Sequence, residues 1–321
     1  MLKDKHLTVT VSPHIKTALT TEKMMWIVSC ALVPAAGAGI YFFGFHAALV
    51  ITVCVVSSLL TEFLCTLLMK KPATIKDGSA FLTGLLLALC LPPELPLWMC
   101  ALGGFFSIAV TKFAFGGLGY NIFNPALAGR AFLMGAFAKE MTTWKTLQVF
   151  PDGITAATPL NLLKEQGYDS LMKVFDSHSH LFRELFIGRV GGSIGETSAG
   201  LLIIGGLILL FARIITWHIP VSYIFTVMVI SYFTGGVFGI PFHLFSGGLV
   251  LGAFFMATDP VTSPITPKGQ IIFGIGCGIL TMLIRIRGGY PEGVCYAILL
   301  MNSVTPLIER YSKTKIFGVK R

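Results

Sequence analysis

The chain has 321 residues, of which 54% are hydrophobic and only 12% charged, and its mean hydropathy is +0.79. Soluble domains carry about 25% charged residues, so this composition excludes a soluble globular domain and implies an all-α polytopic membrane protein. The formal charge of +9 is spread over short connections instead of gathered on one polar face, which excludes a nucleic-acid surface.

Residues 1–23 are polar and basic and read as a cytoplasmic N-terminal segment, with Ser12-Pro13-His14-Ile15 a turn ahead of the first helix. No cleavable signal peptide is expected, and the first helix should act as an uncleaved anchor. Against a hydrocarbon core of about 30 Å, which a helix of about 20 residues crosses, the first candidate spans lie near Met24 to Gly44, Phe45 to Met69, Ser79 to Leu91, Leu97 to Phe115 and Phe123 to Ala138. These form a first repeat, 24–138. A second repeat, 198–309, holds Ser198 to Thr216, Ile219 to Gly239, Leu244 to Ala257, Gln270 to Ile284 and Gly293 to Leu307. About ten helices in two sets of five result, and an odd number per set inverts one relative to the other. Residues 310–321 form a cytoplasmic tail. Small residues in the first spans (Ala31, Ala35, Ala36, Gly37) suit close helix packing in lipid.

Basic residues orient the bundle. With the N-terminus inside, the cytoplasmic side collects Lys3, Lys5, Lys16, Lys23, Lys70, Lys71, Lys76, Lys112, Arg213, Lys268 and the C-terminal cations, leaving Arg285 and Arg287 on the short outer connections. Both termini are then cytoplasmic, and the loop 139–197 is extracytoplasmic. The cysteines (Cys30, Cys54, Cys65, Cys90, Cys100, Cys277, Cys295) lie nearly all in apolar spans without the spacing of a zinc or iron–sulfur ligand set. They read as small buried hydrophobes.

Polar groups inside apolar spans are the functional candidates. Glu62 is one, either on an ion or cofactor path or satisfied structurally near Lys70 and Lys71. Asp77 and Ser79 can cap the third helix, which contains Thr83, and Leu91-Pro92-Pro93 ends it too early for a full crossing. Thr258-Asp259-Pro260-Val261-Thr262-Ser263-Pro264 ends the third span of the second half in the same way. Short, proline-ended segments at matching places in two halves point to a site at the repeat interface. Asp259, Thr258 and Thr262 supply oxygens suited to a hard cation such as sodium, or to hydrogen bonds with a flavin.

Gly116-Gly117-Leu118-Gly119-Tyr120-Asn121-Ile122-Phe123-Asn124-Pro125 opens the fifth helix. Asn-Pro is an ordinary N-cap, while Asn121 and Asn124 can also donate and accept at the edge of a planar ligand. Arg130 needs an anionic partner, with Glu62 or a cofactor phosphate as candidates. In the long loop, Asp152-Gly153-Ile154-Thr155-Ala156-Ala157-Thr158-Pro159-Leu160 is built of small residues and presents two hydroxyls; taken alone it is a surface turn. His178 and His180 lack further ligands for a metal, and Gly191 to Thr197 lacks the strand and spacing of a dinucleotide fingerprint. Gly288-Gly289-Tyr290-Pro291-Glu292-Gly293-Val294 opens the last helix.

Together these stretches resemble the NqrB/RnfD family, which comprises the D component of the Rnf complex and the B component of the sodium-translocating NADH:quinone reductase; the shorter N-terminal region favours the Rnf member. The segment Thr155-Ala156-Ala157-Thr158 is similar to that family's flavinylation motif, with Ala156 where glycine is usual. The resemblance implies FMN joined to Thr158 by a phosphoester and a second, noncovalent flavin, riboflavin or FMN, at Thr83, Asn121, Asn124 and Asp259. It further implies a redox component of an ion-translocating ferredoxin:NAD oxidoreductase in a bacterial or archaeal cytoplasmic membrane, moving Na+ or H+. Its partners would be a flavin transferase and neighbouring flavin and iron–sulfur subunits. Electron uptake by a flavin in low dielectric favours a nearby cation. The alternative from another class is a transporter or channel without redox chemistry, built on a urea-transporter-like inverted repeat.

Overall fold

The computed structural model describes residues 19–70, 74–144, 158–174, 177–188, 190–196 and 198–313. Ser12 to Ile15 and Asp152 to Ala157 lie outside the described residues. All regular secondary structure in the described residues is helical. Among the described residues, four helices are long and apolar enough to cross a membrane: α1 (Thr21–Phe43), α2 (Phe45–Leu68), the first leg of α10 (His218–Gly236) and α12 (Pro267–Arg287). The remaining apolar helices are shorter or bent.

α3 (Ser79–Leu89) has 11 residues, about 17 Å at 1.5 Å per residue, little more than half the hydrocarbon thickness. It stops where Pro92 and Pro93 can no longer supply helical N–H groups. α4 (Leu97–Ile108) continues through a π-turn at Ala109–Phe113, and α5 (Pro125–Ala136) is followed by the single turn α6 (Ala138–Met141). α7 (Pro159–Val174) and α8 (His178–Ile187) carry the loop between the halves.

α9 (Ala199–Phe211) begins the second half. α10 (His218–Phe245) breaks at Gly236, whose φ of 64° only glycine adopts readily. Its second leg, Phe238–Phe245, meets the helix Leu249–Met256 at 65°. That helix is α11 (Leu249–Leu251) and the π-turn that extends it, Gly252–Met256; its N-cap Gly248 is left-handed. α13 (Val294–Tyr311) ends the described chain.

α2 lies on α3 and α4, as α10 lies on α12; α1 meets α9 and α5 meets α13 across the two halves. Gly84 of α3 is pressed against α2 so closely that a Cβ there would stand 2.7 Å from the Val55 Cα. α10 and α12 run parallel, with Gly274 against Ser222, Tyr223 Oη 2.5 Å from Thr281 Oγ1, and Ser231 Oγ 3.8 Å from Met282 Sδ. α3 and α11 run in opposite directions. Gly195 lies between Leu89 near the end of α3 and Leu251 near the start of α11, whereas Ser79 and Asp259, at the other ends, line one cavity.

Candidate functional site

At the start of α3 is a cavity of 80 Å³ lined by Thr83, Asn121, Asn124 and Asp259, together with Ser79 and Lys112. Residues far apart in sequence meet there because α3 and α11 are antiparallel and the α5 N-terminus inserts between them. Asn124 caps α5, its Oδ1 accepting from Ala126 N (3.1 Å) and Leu127 N (3.4 Å), and its Nδ2 donates to Met256 O at 3.2 Å. With the Asn302 amide oriented so that its nitrogen donates to Ile298 O, its oxygen accepts from Asn124 N at 3.0 Å. Asn124 is therefore a joint between the halves. Asn121 donates to Phe123 O at 3.1 Å, while its buried Oδ1 has no partner among the described residues. Buried amide oxygens are ordinarily paired, so this one is available to a ligand.

The oxygens expected to serve a cation bond to one another and to the backbone, and each keeps lone pairs for a ligand. Asp259 Oδ2 accepts from Thr262 Oγ1 (3.0 Å) and Oδ1 from Val261 N (3.5 Å), while the Thr258 hydroxyl donates to Phe254 O (2.7 Å). Thr83 donates to Ser79 O at 2.9 Å. Among the described residues no cluster of three His, Cys, Asp or Glu side chains is placed to hold a metal.

Glu62 is fully buried, and the expected role of Lys70 is corrected here, while Lys71 lies outside the described residues. Lys112 is its partner, with Nζ 2.9 Å from Glu62 Oε2 and 2.6 Å from Ser79 Oγ. Ser79 in turn donates from N (2.8 Å) and Oγ (2.6 Å) to Asp77 Oδ1, and Thr74 Oγ1 donates to Glu62. The orientation count places Lys112 on the cytoplasmic side, and the structure buries its side chain within the helix packing. Its position inside an apolar window is the signal to treat it as an intramembrane charge.

At the opposite end, Arg130 pairs with Glu292, not with Glu62 as the sequence suggested. Arg285, expected on an outer connection, is instead buried. Its guanidinium donates to Glu292 O (2.9 Å), His243 O (2.6 Å), Ser246 O (2.9 Å) and Gly247 O (3.4 Å), the last three being carbonyls just before α11. Glu196, on the segment before α9, lies against Gly248; burial, and after it the charge of Glu292, push its carboxyl well above the usual carboxylate range.

Thr158 is 3% exposed and precedes α7; its Oγ1 accepts from Asn161 N at 3.2 Å. Thr155, Ala156 and Ala157 lie outside the described residues. Thr158 shares a small cavity with Gly191, Glu196, Ser246 and Glu292. Asn161, one turn on, lines a separate 280 Å³ cavity with Trp144, Tyr290 and Tyr296. Cys54, Cys90, Cys100, Cys277 and Cys295 are buried free thiols, as expected of small hydrophobes, whereas Cys30 is exposed.

The fold and these sites define a polytopic helical membrane protein whose two half-length helices meet beside buried polar cavities. The sequence model of the NQR2, RnfD, RnfE family matches residues 8–318, and the chain belongs to that family. It is 50% identical to the D subunit of the proton-translocating ferredoxin:NAD(+) oxidoreductase complex of Clostridium ljungdahlii, over 100% of this chain and 98% of that protein. It is 46% identical to the D subunit of the Na(+)-translocating ferredoxin:NAD(+) oxidoreductase complex of Acetobacterium woodii, with the same coverage. Identity is 40% to the D subunit of the ion-translocating oxidoreductase complex of Stutzerimonas stutzeri, over 93% of this chain and 92% of that protein.

Proposed function

We propose that this chain is the membrane-embedded D subunit of an ion-translocating ferredoxin:NAD oxidoreductase, passing electrons between partner subunits that hold flavin and iron–sulfur centres. The observation that carries the reading is the correspondence along the whole chain with D subunits whose names state that activity. Antiparallel α3 and α11, each pinned at its start by a buried cation, support two inverted five-helix repeats with about ten crossings in all. The basic residues favour cytoplasmic termini and an extracytoplasmic Thr158.

Thr158 is the residue for a phosphoester-linked FMN. It stands at the N-terminus of α7, where the helix dipole favours a phosphate, beside an aromatic-walled cavity that suits a planar ring. Because the hydroxyl is covered, attachment by a flavin transferase requires the segment around it to open. The second flavin, riboflavin or FMN, belongs at the inner cavity, where Asn121 Oδ1 offers an unused acceptor and Asn124, Thr83 and Asp259 border the space. Small-molecule sites are commonly at least about 300 Å³, so the 80 Å³ space must widen; flexible Met24 and Met25 form one of its walls. Flavins bound there supply one- and two-electron transfer.

The transported ion is Na+ or H+; near-equal similarity to a relative named for each favours neither. The test is the intact mass of the chain coexpressed with a flavin transferase, beside Thr158→Ala, with in-gel flavin fluorescence. An FMN-phosphoryl mass lost in the variant is expected. An unmodified, colourless wild-type chain would remove the redox reading and favour a non-redox transporter.

A further inference from the structure

A further cavity, of 700 Å³, lies between the loop helices and the outer end of α10 and α12. Its walls are apolar: Leu163, Phe182, Phe238, Phe242 and Ile286. Its polar lining is nitrogen-rich, with Lys164, His243 and Arg285, and no carboxylate lines it among the described residues. His243 is 9% exposed, and its buried Nδ1 has no partner among the described residues. Arg285 is 5% exposed and hydrogen-bonds to carbonyls, which offset its charge only with partial dipoles. The carboxylate nearest in sequence, Glu292, is taken by Arg130. The Glu292 and Glu196 carboxylates act on Arg285 only through space, with no hydrogen bond to it among the described residues, and a buried intramembrane cation so held calls for a closer partner.

The depth of the cavity specifies the partner. The first leg of α10 and α12 run parallel and end together, at Gly236 and Arg287, after 19 and 21 residues, each a full crossing. Gly235 and Ile286 both line the cavity, so it sits where the hydrocarbon gives way to headgroups. A ligand there meets apolar walls and nitrogen donors together. Basic pockets between membrane helices are suited to lipid headgroups.

We propose that this cavity binds one anionic phospholipid, its phosphate facing His243, Arg285 and Lys164 and an acyl chain lying along Phe238 and Phe242. The lipid supplies the counter-charge for Arg285 and holds the loop helices α7 and α8 against the bundle.

The test is native mass spectrometry of the delipidated full-length chain titrated with dioleoylphosphatidylglycerol and, separately, with uncharged dioleoylglycerol. One phosphatidylglycerol per chain is expected, with no retention of dioleoylglycerol. Combined His243→Ala and Lys164→Ala should weaken binding about tenfold, as lost hydrogen bonds to a charged group do. Gly235→Leu fills the cavity where a Cβ meets nothing within 4 Å, so it should abolish binding at an unchanged unfolding temperature. Equal retention of the two lipids, or undiminished binding by Gly235→Leu, overturns the proposal. So does uptake by unflavinylated Thr158→Ala alone, which assigns the cavity to the flavin.

Discussion

The starts of α3 and α11 are each held by a buried cation from a neighbouring helix. At α3 the cation is Lys112, and its charge is closed off by Glu62 within the same small network. At α11 it is Arg285, whose flat fork spans four carbonyls and whose charge meets no carboxylate hydrogen bond among the described residues. Lysine suits the first place because a compact ammonium fits between one carboxylate and one hydroxyl; arginine suits the second because its donors diverge in a plane. The neutral anchor adjoins an 80 Å³ space and the open one a 700 Å³ cavity. One mechanical task is thus met in two ways: a hydrogen-bonded carboxylate closes the first network, whereas Glu292 and Glu196 act on Arg285 only through space.

The contrast breaks most sharply at Glu62. Glu62→Gln leaves the Lys112 ammonium buried without its counter-charge and should destabilise the protein by about 3–5 kcal/mol, read as the shift in thermal unfolding in one detergent. Adding Lys112→Met should recover most of that loss, because the unpaired charge goes with it; no recovery would mean that the pair does not act as a closed unit. Arg285→Lys has no such rescue. It keeps the charge and loses the fork, at about 2–3 kcal/mol for two or more unmade bonds to buried carbonyls. An effect as small as a surface substitution would show that the carbonyls before α11 do not depend on it. The smallest expected effect on stability, about 1 kcal/mol for a single lost hydrogen bond, is that of Asn121→Ala. The same variant should lose noncovalent flavin from the purified complex while keeping covalent flavin on Thr158; full retention of both would exclude Asn121 as a contact.

Much of this architecture is written in local sequence. Apolar windows place the long helices to within a few residues, since transfer of some twenty apolar side chains outweighs any local preference. Pro92 and Pro93 stop α3, and Asn124-Pro125 starts α5, through backbone geometry that neighbouring residues alone determine. Thr83, Asn121, Asn124 and Asp259 come together as one group from the family resemblance, whereas the matching proline breaks do not meet: Pro92 and Pro93 follow the end of α3 that faces Leu251, away from Asp259.

What the sequence could not determine is who meets whom. Arg130 had two candidate anions, and the packing of α5 on α13 chose a third, Glu292. A rule that counts charges near span ends makes Lys112 and Arg285 interfacial cations; only the helix packing shows both drawn inward to hold α3 and α11. Asp259 offered oxygens to which its own turn already donates, and Asn121 kept one that nothing in its neighbourhood uses among the described residues. Partner choice for a buried polar group depends on distances across elements far apart in the chain. Hydropathy and local propensity carry no information about those distances, so the tertiary structure alone decides them.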